Sequence, residues 1–136
     1  MELEQQLASV PLLAGLNSRI RRRLAETGKR RTYAADEEIV REGSTGTALY
    51  IVLSGTARVV RGGDAIGELG AGDFFGELAL IEEHPRSASV LAATDTECLL
   101  FPAWEFTALL EEHPEIALPI MRKLITRLHR SEHHRA

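Results

Sequence analysis

The sequence predicts a mainly β protein, an antiparallel and jelly-roll-like β-roll with α-helices at its N- and C-terminal ends. Glycine turns recur between residues 43 and 72 at steps of 12, 8 and 9 residues, and short β-prone runs lie between them. Helical hydrophobic spacing marks both ends of the chain. Evenly spaced short strands with glycine turns are typical of antiparallel sandwiches and barrels. We therefore expect one domain, with helices over residues 1–31, the roll over 32–102 and helices over 103–136.

The N-terminal segment is predicted to contain two helices. Leu3, Leu7 and Val10 share one helical face. Asn17 is a good N-cap for a second helix, and Gly28 suits the end of that helix.

The predicted roll contains about eight short strands. The clearest strand candidates are residues 48–53, 56–61, 65–69, 86–92 and 96–102, and Gly62-Gly63 is a good two-residue hairpin turn. A helix of about two turns is expected over residues 75–81.

Two C-terminal helices are expected, over residues 103–112 and 115–130. The second helix carries an i,i+4 apolar stripe, formed by Ile116, Ile120, Leu124 and Leu128.

Composition limits the class of protein. The 136 residues are 44% hydrophobic and 26% charged, which indicates a folded globular chain. The 16 basic and 20 acidic residues give a net charge of −4, the wrong sign for a protein that coats nucleic acid. The longest apolar run, residues 48–53, is far short of the roughly 18 residues of a membrane span. The acidic start at residues 1–4 is unlike a secretory signal, so we expect a cytoplasmic protein.

The metal-ligating residues do not form a site by sequence. A single cysteine, Cys98, excludes an internal disulfide and a multi-cysteine zinc site. His129 and His133 are four residues apart on the last helix, but zinc needs further ligands on the same face. We expect no metal and no cofactor.

The stretch with the most chemical information runs from residue 75 to residue 90. Gly76 allows a ligand to approach the backbone closely, and the helix expected after it would present free N–H groups to an anion. Glu77 is an acceptor suited to sugar hydroxyls. Arg86, held extended by Pro85, supplies a planar cation for a phosphate. An anion clamp and a sugar clamp nine residues apart describe a site for a nucleotide monophosphate.

This stretch, F-G-E-L-A-L followed by P-R-S-A-S-V, resembles the phosphate-binding cassette of cyclic nucleotide-binding domains. The resemblance covers roughly residues 8–131. It implies that Gly76 and Glu77 hold the ribose 2′-hydroxyl and that Arg86 pairs with the cyclic phosphate. The full ligand-binding set that it implies is Phe75, Gly76, Glu77, Leu78, Ala79, Arg86, Ser87 and Ala88, where Ser87 offers its hydroxyl and Ala88 its N–H.

The resemblance also implies a moving C-terminal helix that closes over the base. The candidate lid residues near its end are Arg127, Arg130 and Ser131. One departure from the family pattern is Thr47, where many members carry an acidic residue, and it bears on loop ordering more than on binding.

The expected function is reversible binding of a cyclic nucleotide, cAMP in preference to cGMP, as a signal and without chemistry. One alternative is a degenerate domain of the same fold that acts as a protein-interaction module without nucleotide. An enzyme would need a nucleophile–base pair or a metal set, and neither is visible. Direct DNA binding is not expected, since no helix-turn-helix follows the last helix. An effector domain, a partner protein or a second copy of the chain would receive the signal.

The segment from Arg19 to Arg31 contains seven basic residues and one acidic residue. A solvated helix face is one interpretation. A docking patch for an acidic partner or a membrane surface is the other.

Overall fold

The computed structural model describes residues 3–10, 13, 16–46, 48–76 and 85–135. The helices are α1 Leu3–Ala8, α2 Ser18–Thr27, α3 Ala103–Glu112 and α4 Ala117–Arg135, with a 3-10 helix at Pro114–Ile116. The strands are β1 Lys29–Tyr33, β2 Glu38–Val40, β3 Ala48–Ser54, β4 Thr56–Arg61, β5 Asp64–Gly70, β6 Phe74–Phe75, β7 Ser89–Ala92 and β8 Thr96–Pro102.

The strands form two four-stranded sheets in which neighbouring strands of the described chain pair antiparallel. One sheet has the order β1-β8-β3-β6 and the other the order β2-β7-β4-β5. The predicted β-roll with flanking helices is therefore confirmed. The predicted hairpin is also confirmed, because Gly62 and Gly63 both have positive φ between β4 and β5.

Two apolar clusters stabilise the fold. The first cluster joins the two sheets across the interior of the roll; its buried members are Tyr33, Tyr50, Val52, Ala57, Leu69, Phe75, Val90, Ala92 and Cys98. The second cluster joins the outer face of the β1-β8-β3-β6 sheet to the helices. Alternation along β3 serves both clusters, since Leu49 and Ile51 face the helices whereas Tyr50 and Val52 face the interior.

The N-terminal boundary of the roll differs from the prediction. The side chain of Asn17 caps α2 by accepting a hydrogen bond from Ile20 N (3.0 Å), and Gly28 ends the helix as expected. Strand β1, however, begins at Lys29 instead of residue 32. The charged residues of this edge strand are exposed, so they lack the apolar alternation by which a strand is detected.

Two predictions near the cassette stretch were wrong in part. Phe75 ends strand β6 and does not begin a helix; residues 77–84 lie outside the described residues. The strand expected over residues 86–92 begins only at Ser89, because the segment before it is bonded to a neighbouring loop.

The first C-terminal helix has the predicted bounds, whereas the second begins with the 3-10 turn Pro114–Ile116 and continues as α4 to Arg135, beyond the predicted end at residue 130. Ile116 and Ile120 are buried against the helix-side cluster, and Leu124 packs at its edge. No described helix has the length and apolar character needed to cross a membrane.

Candidate functional site

The backbone at Arg86 is fixed by the loop between β2 and β3. Arg86 N donates to Ser44 O, and Gly43 N donates to Arg86 O, both at 2.8 Å. Thr45 and Pro85 form an isolated antiparallel bridge one step further on. These backbone contacts fix the position of the Arg86 Cα independently of its side chain.

The Arg86 guanidinium lies between the backbones of two glycines. A Cβ atom at Gly46 would be 2.5 Å from Nη2, and one at Gly76 would be 2.7 Å from Nη1. Nη2 also donates to the carbonyl oxygen of Ala48, at 3.1 Å. The absence of side chains at both glycines therefore allows the cation to sit against the backbone.

This cation lies over one aromatic ring, which stacks on a second. The Arg86 Cζ lies over the Tyr50 ring, 5.8 Å from its centroid. Tyr50 in turn stacks on Phe75, with centroids 4.6 Å apart and an interplanar angle of 8°. The two residues are direct partners in the β3–β6 register, so the sheet sets this stacking.

The charge of Arg86 is not neutralised by the described part of the chain. The ion pairs found among residues 3–10, 13, 16–46, 48–76 and 85–135 involve other groups, and no described carboxylate lies within pairing distance of Arg86. A partly buried cation with fixed backbone supports is suited to bind an anion.

The described residues after Arg86 are bonded to strand β4 and to the loop between β2 and β3. Arg61 Nε donates to Ser87 O at 3.0 Å, and Glu42 N donates to Ser89 Oγ at 2.8 Å. The Ser87 side chain is exposed and Ala88 is partly buried. The Ser87 carbonyl is thus occupied, whereas its hydroxyl has no partner among the described residues.

The structure brings together three of the residues predicted from sequence, Phe75, Gly76 and Arg86, and continues directly into Ser87 and Ala88. Their role toward a ligand stays a prediction. Other predicted residues, Glu77, Leu78 and Ala79, lie outside the described residues, as does Thr47. The lid candidates Arg127, Arg130 and Ser131 lie on α4, but their side chains are outside the described part of the chain.

Sequence reasoning missed three contributors to the site: Gly46, the carbonyl of Ala48 and the ring of Tyr50. Gly46 was visible only as a turn residue. The period-2 alternation of the strand does place Ala48 and Tyr50 on one face, and that signal could have identified Tyr50 as the aromatic residue of that face.

The basic segment is divided between two elements. Arg19, Arg22 and Arg23 are exposed on α2, whereas Arg30 lies on β1. Arg23 pairs with Glu112 (2.7 Å) and Arg30 with Glu97 (2.8 Å), so part of the positive charge is already neutralised.

A family model of the cyclic nucleotide-binding domain matches residues 30–113, more than half of the 136-residue chain. The chain belongs to the cyclic nucleotide-binding domain family. This confirms the resemblance drawn from the cassette stretch.

Relatives of this cyclic nucleotide-binding domain occur in several larger proteins. The cyclic nucleotide-gated potassium channel of Rhizobium etli is 37% identical over 123 residues, which cover 90% of this chain and 34% of the channel. The catabolite activator protein of Thermus thermophilus superposes with a TM-score of 0.80 at 34% identity, covering 91% of this chain and 61% of that one. The regulatory domain of Toxoplasma gondii PKA, solved with cAMP, gives a TM-score of 0.80 at 28% identity, covering 91% and 49%. The chain spans half or less of the length of the curated relatives compared.

Proposed function

We propose that this domain binds a cyclic nucleotide monophosphate reversibly, as a signal, and performs no chemistry on it. The observation that carries the proposal is the Arg86 guanidinium, seated between Gly46 and Gly76 without a described carboxylate partner. A cyclic phosphodiester carries one negative charge and oxygens that accept N–H donors. It would therefore neutralise the charge that the described residues leave open.

The ribose and the remaining phosphate contacts would come from the rest of the cassette stretch. Gly76 and Glu77 would hold the 2′-hydroxyl, since an ionised carboxylate accepts from a hydroxyl. The Ser87 hydroxyl and the Ala88 N–H would assist Arg86 at the phosphate. Phe75, Leu78 and Ala79 would complete the wall around the sugar.

The ligand we propose is cAMP in preference to cGMP. The Toxoplasma gondii PKA regulatory domain, which superposes on most of this chain, was solved with cAMP. The exposed Ser87 hydroxyl does not decide between adenine and guanine. The family resemblance implies that a hydroxyl there contacts guanine in some members, yet many bacterial cAMP binders have serine at the same position.

Ligand binding would be transmitted through the C-terminal helix α4. Ile116 and Ile120 anchor the beginning of this helical segment in the helix-side cluster. The end of the helix, with Arg127, Arg130 and Ser131, would close over the base and change the surface seen by an effector domain, a partner protein or a second copy.

Isothermal titration with cAMP and with cGMP tests the proposal. Wild type should bind cAMP more tightly than cGMP. Arg86→Ala should weaken binding by roughly 30- to several-thousand-fold, the range expected when one partner of a buried charge pair is removed. Arg86→Lys should also lose much affinity, because a point charge replaces a planar fork. Arg58→Ala is the matched control, since Arg58 is exposed and pairs with Asp36.

Three results would contradict the proposal. Wild type that binds neither nucleotide would favour the degenerate interaction module. An Arg86→Ala variant that folds and binds like wild type would refute the site. Conversion of cAMP to another product during incubation with the protein, detected by chromatography, would indicate an enzyme.

A further inference from the structure

Tyr50, which lies outside the cassette motif, is the ring over which Arg86 lies and on which Phe75 stacks. The cation lies 5.8 Å from the Tyr50 centroid, within the distance at which a ring face attracts a guanidinium. Phe75 lies 4.6 Å from Tyr50 and nearly parallel to it. The Tyr50 ring therefore has both a second ring and a cation as neighbours.

An aromatic face can orient a guanidinium without using any of its N–H donors. Guanidinium has five such donors in one plane. Nη2 donates to Ala48 O, and the attraction between the cation and the ring uses none of the other N–H donors. The remaining donors can therefore donate to phosphate oxygens, which approach in the plane of the fork.

The Tyr50 ring is rigidly placed. Tyr50 is 9% exposed, lies within β3, and pairs with both Leu100 and Phe75 in the sheet. The pKa of the Tyr50 phenol is raised, because the effect of burial exceeds the opposite effect of the nearby positive charges of Arg86 and Arg31. The ring is consequently neutral at neutral pH and offers the negative face of its quadrupole to the cation.

We propose that Tyr50 is a positioning residue for Arg86: its ring, stacked on Phe75, holds the guanidinium plane in the orientation that receives the phosphate. This inference rests on the proposed function, in which Arg86 binds the phosphate of the cyclic nucleotide. It predicts that loss of the ring weakens ligand binding through Arg86 and not through the stability of the roll.

Tyr33 provides a matched control inside the same molecule. It is a tyrosine of the same interior cluster and is 7% exposed, close to the 9% of Tyr50. Burial also raises the pKa of its phenol. No contact between the Tyr33 ring and Arg86 is found among the described residues, so Tyr33→Leu should cost stability and leave affinity unchanged.

The experiment titrates cAMP into the full chain and its variants. Tyr50→Leu should bind about 2- to 30-fold more weakly, the range of a partly buried cation–π contact. Tyr50→Phe should stay within about twofold of wild type, since it keeps the ring, and Tyr33→Leu should do the same. In an Arg86→Lys background, Tyr50→Leu should reduce the affinity for cAMP by a clearly smaller factor, because the planar group that the ring orients is absent.

A second measurement covers the case in which Tyr50→Leu does not fold. Phenylalanine and its progressively fluorinated analogues at position 50 differ little in packing, but fluorine withdraws charge from the ring face. Affinity should fall stepwise with fluorination. Equal affinities across this series, or equal losses of affinity in Tyr50→Leu and Tyr33→Leu, would overturn the positioning role of Tyr50 but not the proposed function. Absence of cyclic nucleotide binding in wild type would instead overturn the proposed function, and this inference would fall with it.

Discussion

Gly76 passes so close to Ala48 that a Cβ atom at position 76 would lie 2.6 Å from the Ala48 carbonyl oxygen. The same carbonyl accepts a hydrogen bond from Arg86 Nη2. Gly76 also has a φ of +86°, a conformation that residues with a Cβ rarely adopt. The conformation of one glycine is thus coupled to the support of the cation.

We predict that Gly76→Ala weakens cyclic nucleotide binding by roughly tenfold or more, because the methyl group displaces either the carbonyl or the guanidinium. Gly63→Ala is the control. Gly63 has a φ of +87°, and no atom lies within 4 Å of the point that a Cβ would occupy. Its substitution therefore introduces the same backbone strain but no steric clash. Titration and urea unfolding should show lower stability in both variants but lower affinity in Gly76→Ala alone. Equal affinities in the two variants would contradict this.

Glu77 should act through the ribose. Wild type should bind cAMP more tightly than 2′-deoxy-cAMP, and Glu77→Ala should reduce that difference, since the acceptor for the 2′-hydroxyl is removed. Glu77→Gln should be milder, because an amide carbonyl still accepts. Competition titrations with the two ligands measure the difference directly. Wild type that does not distinguish them would argue against this role.

Truncation after Lys123 should leave a folded roll that binds with faster dissociation. The cut keeps Ile116 and Ile120, which are buried in the helix-side cluster, and removes the predicted lid residues. Contacts formed only after closure slow release, so their loss should appear in the off-rate. Stopped-flow release of a fluorescent cyclic nucleotide measures it. An unchanged off-rate, in a sample shown to be folded, would mean that this part of α4 is only structural.

Cys98 should make the fold sensitive to alkaline pH. Burial raises the pKa of its thiol from 9.0 to about 12. The folded state therefore keeps a proton that the unfolded state loses, so stability is complete below the unfolded pKa and falls as pH rises above it. Between about pH 8 and about pH 10 the free energy of unfolding should drop by about 1 kcal/mol from this group.

The matched variant for this prediction is Cys98→Ala, which should be less stable at neutral pH but show a flatter pH profile over the same range. Urea midpoints at each pH give the comparison. The window stops near pH 10 because the pKa values of Tyr33 and Tyr50 are also raised by burial and add their own losses above it. Identical profiles for wild type and Cys98→Ala would contradict the prediction.

The sequence was most informative where an element has a signal at both of its ends. Strand β4 and helix α3 have the predicted bounds, because glycine turns flank the first and a proline and a histidine-proline pair flank the second. Strand β1 was partly missed, since its exposed charged residues give no alternation. The strand conformation of Phe75 was missed because its partner in β3 is distant in the chain.

The residues of the candidate site likewise divide into those that a local sequence pattern predicts and those that it does not. Gly76 and Arg86 belong to one local motif, so their residue types and spacing were sufficient to predict them. The ring of Tyr50 and the backbone of Gly46 reach Arg86 only through the sheet register and the bridge between Thr45 and Pro85. Contacts of this kind depend on tertiary structure, which local patterns do not encode.

Strand β3 has a consequence for how this chain tolerates sequence change. All five residues from Leu49 to Leu53 are buried, alternately against the helices and in the interior of the roll. Strand β5 is the opposite, with its first five residues exposed. Random substitution should therefore accumulate in β5 and be eliminated in β3, where a larger or smaller side chain on either face disturbs one of the two clusters. The strand that supports Arg86 is thus also one that tolerates few substitutions.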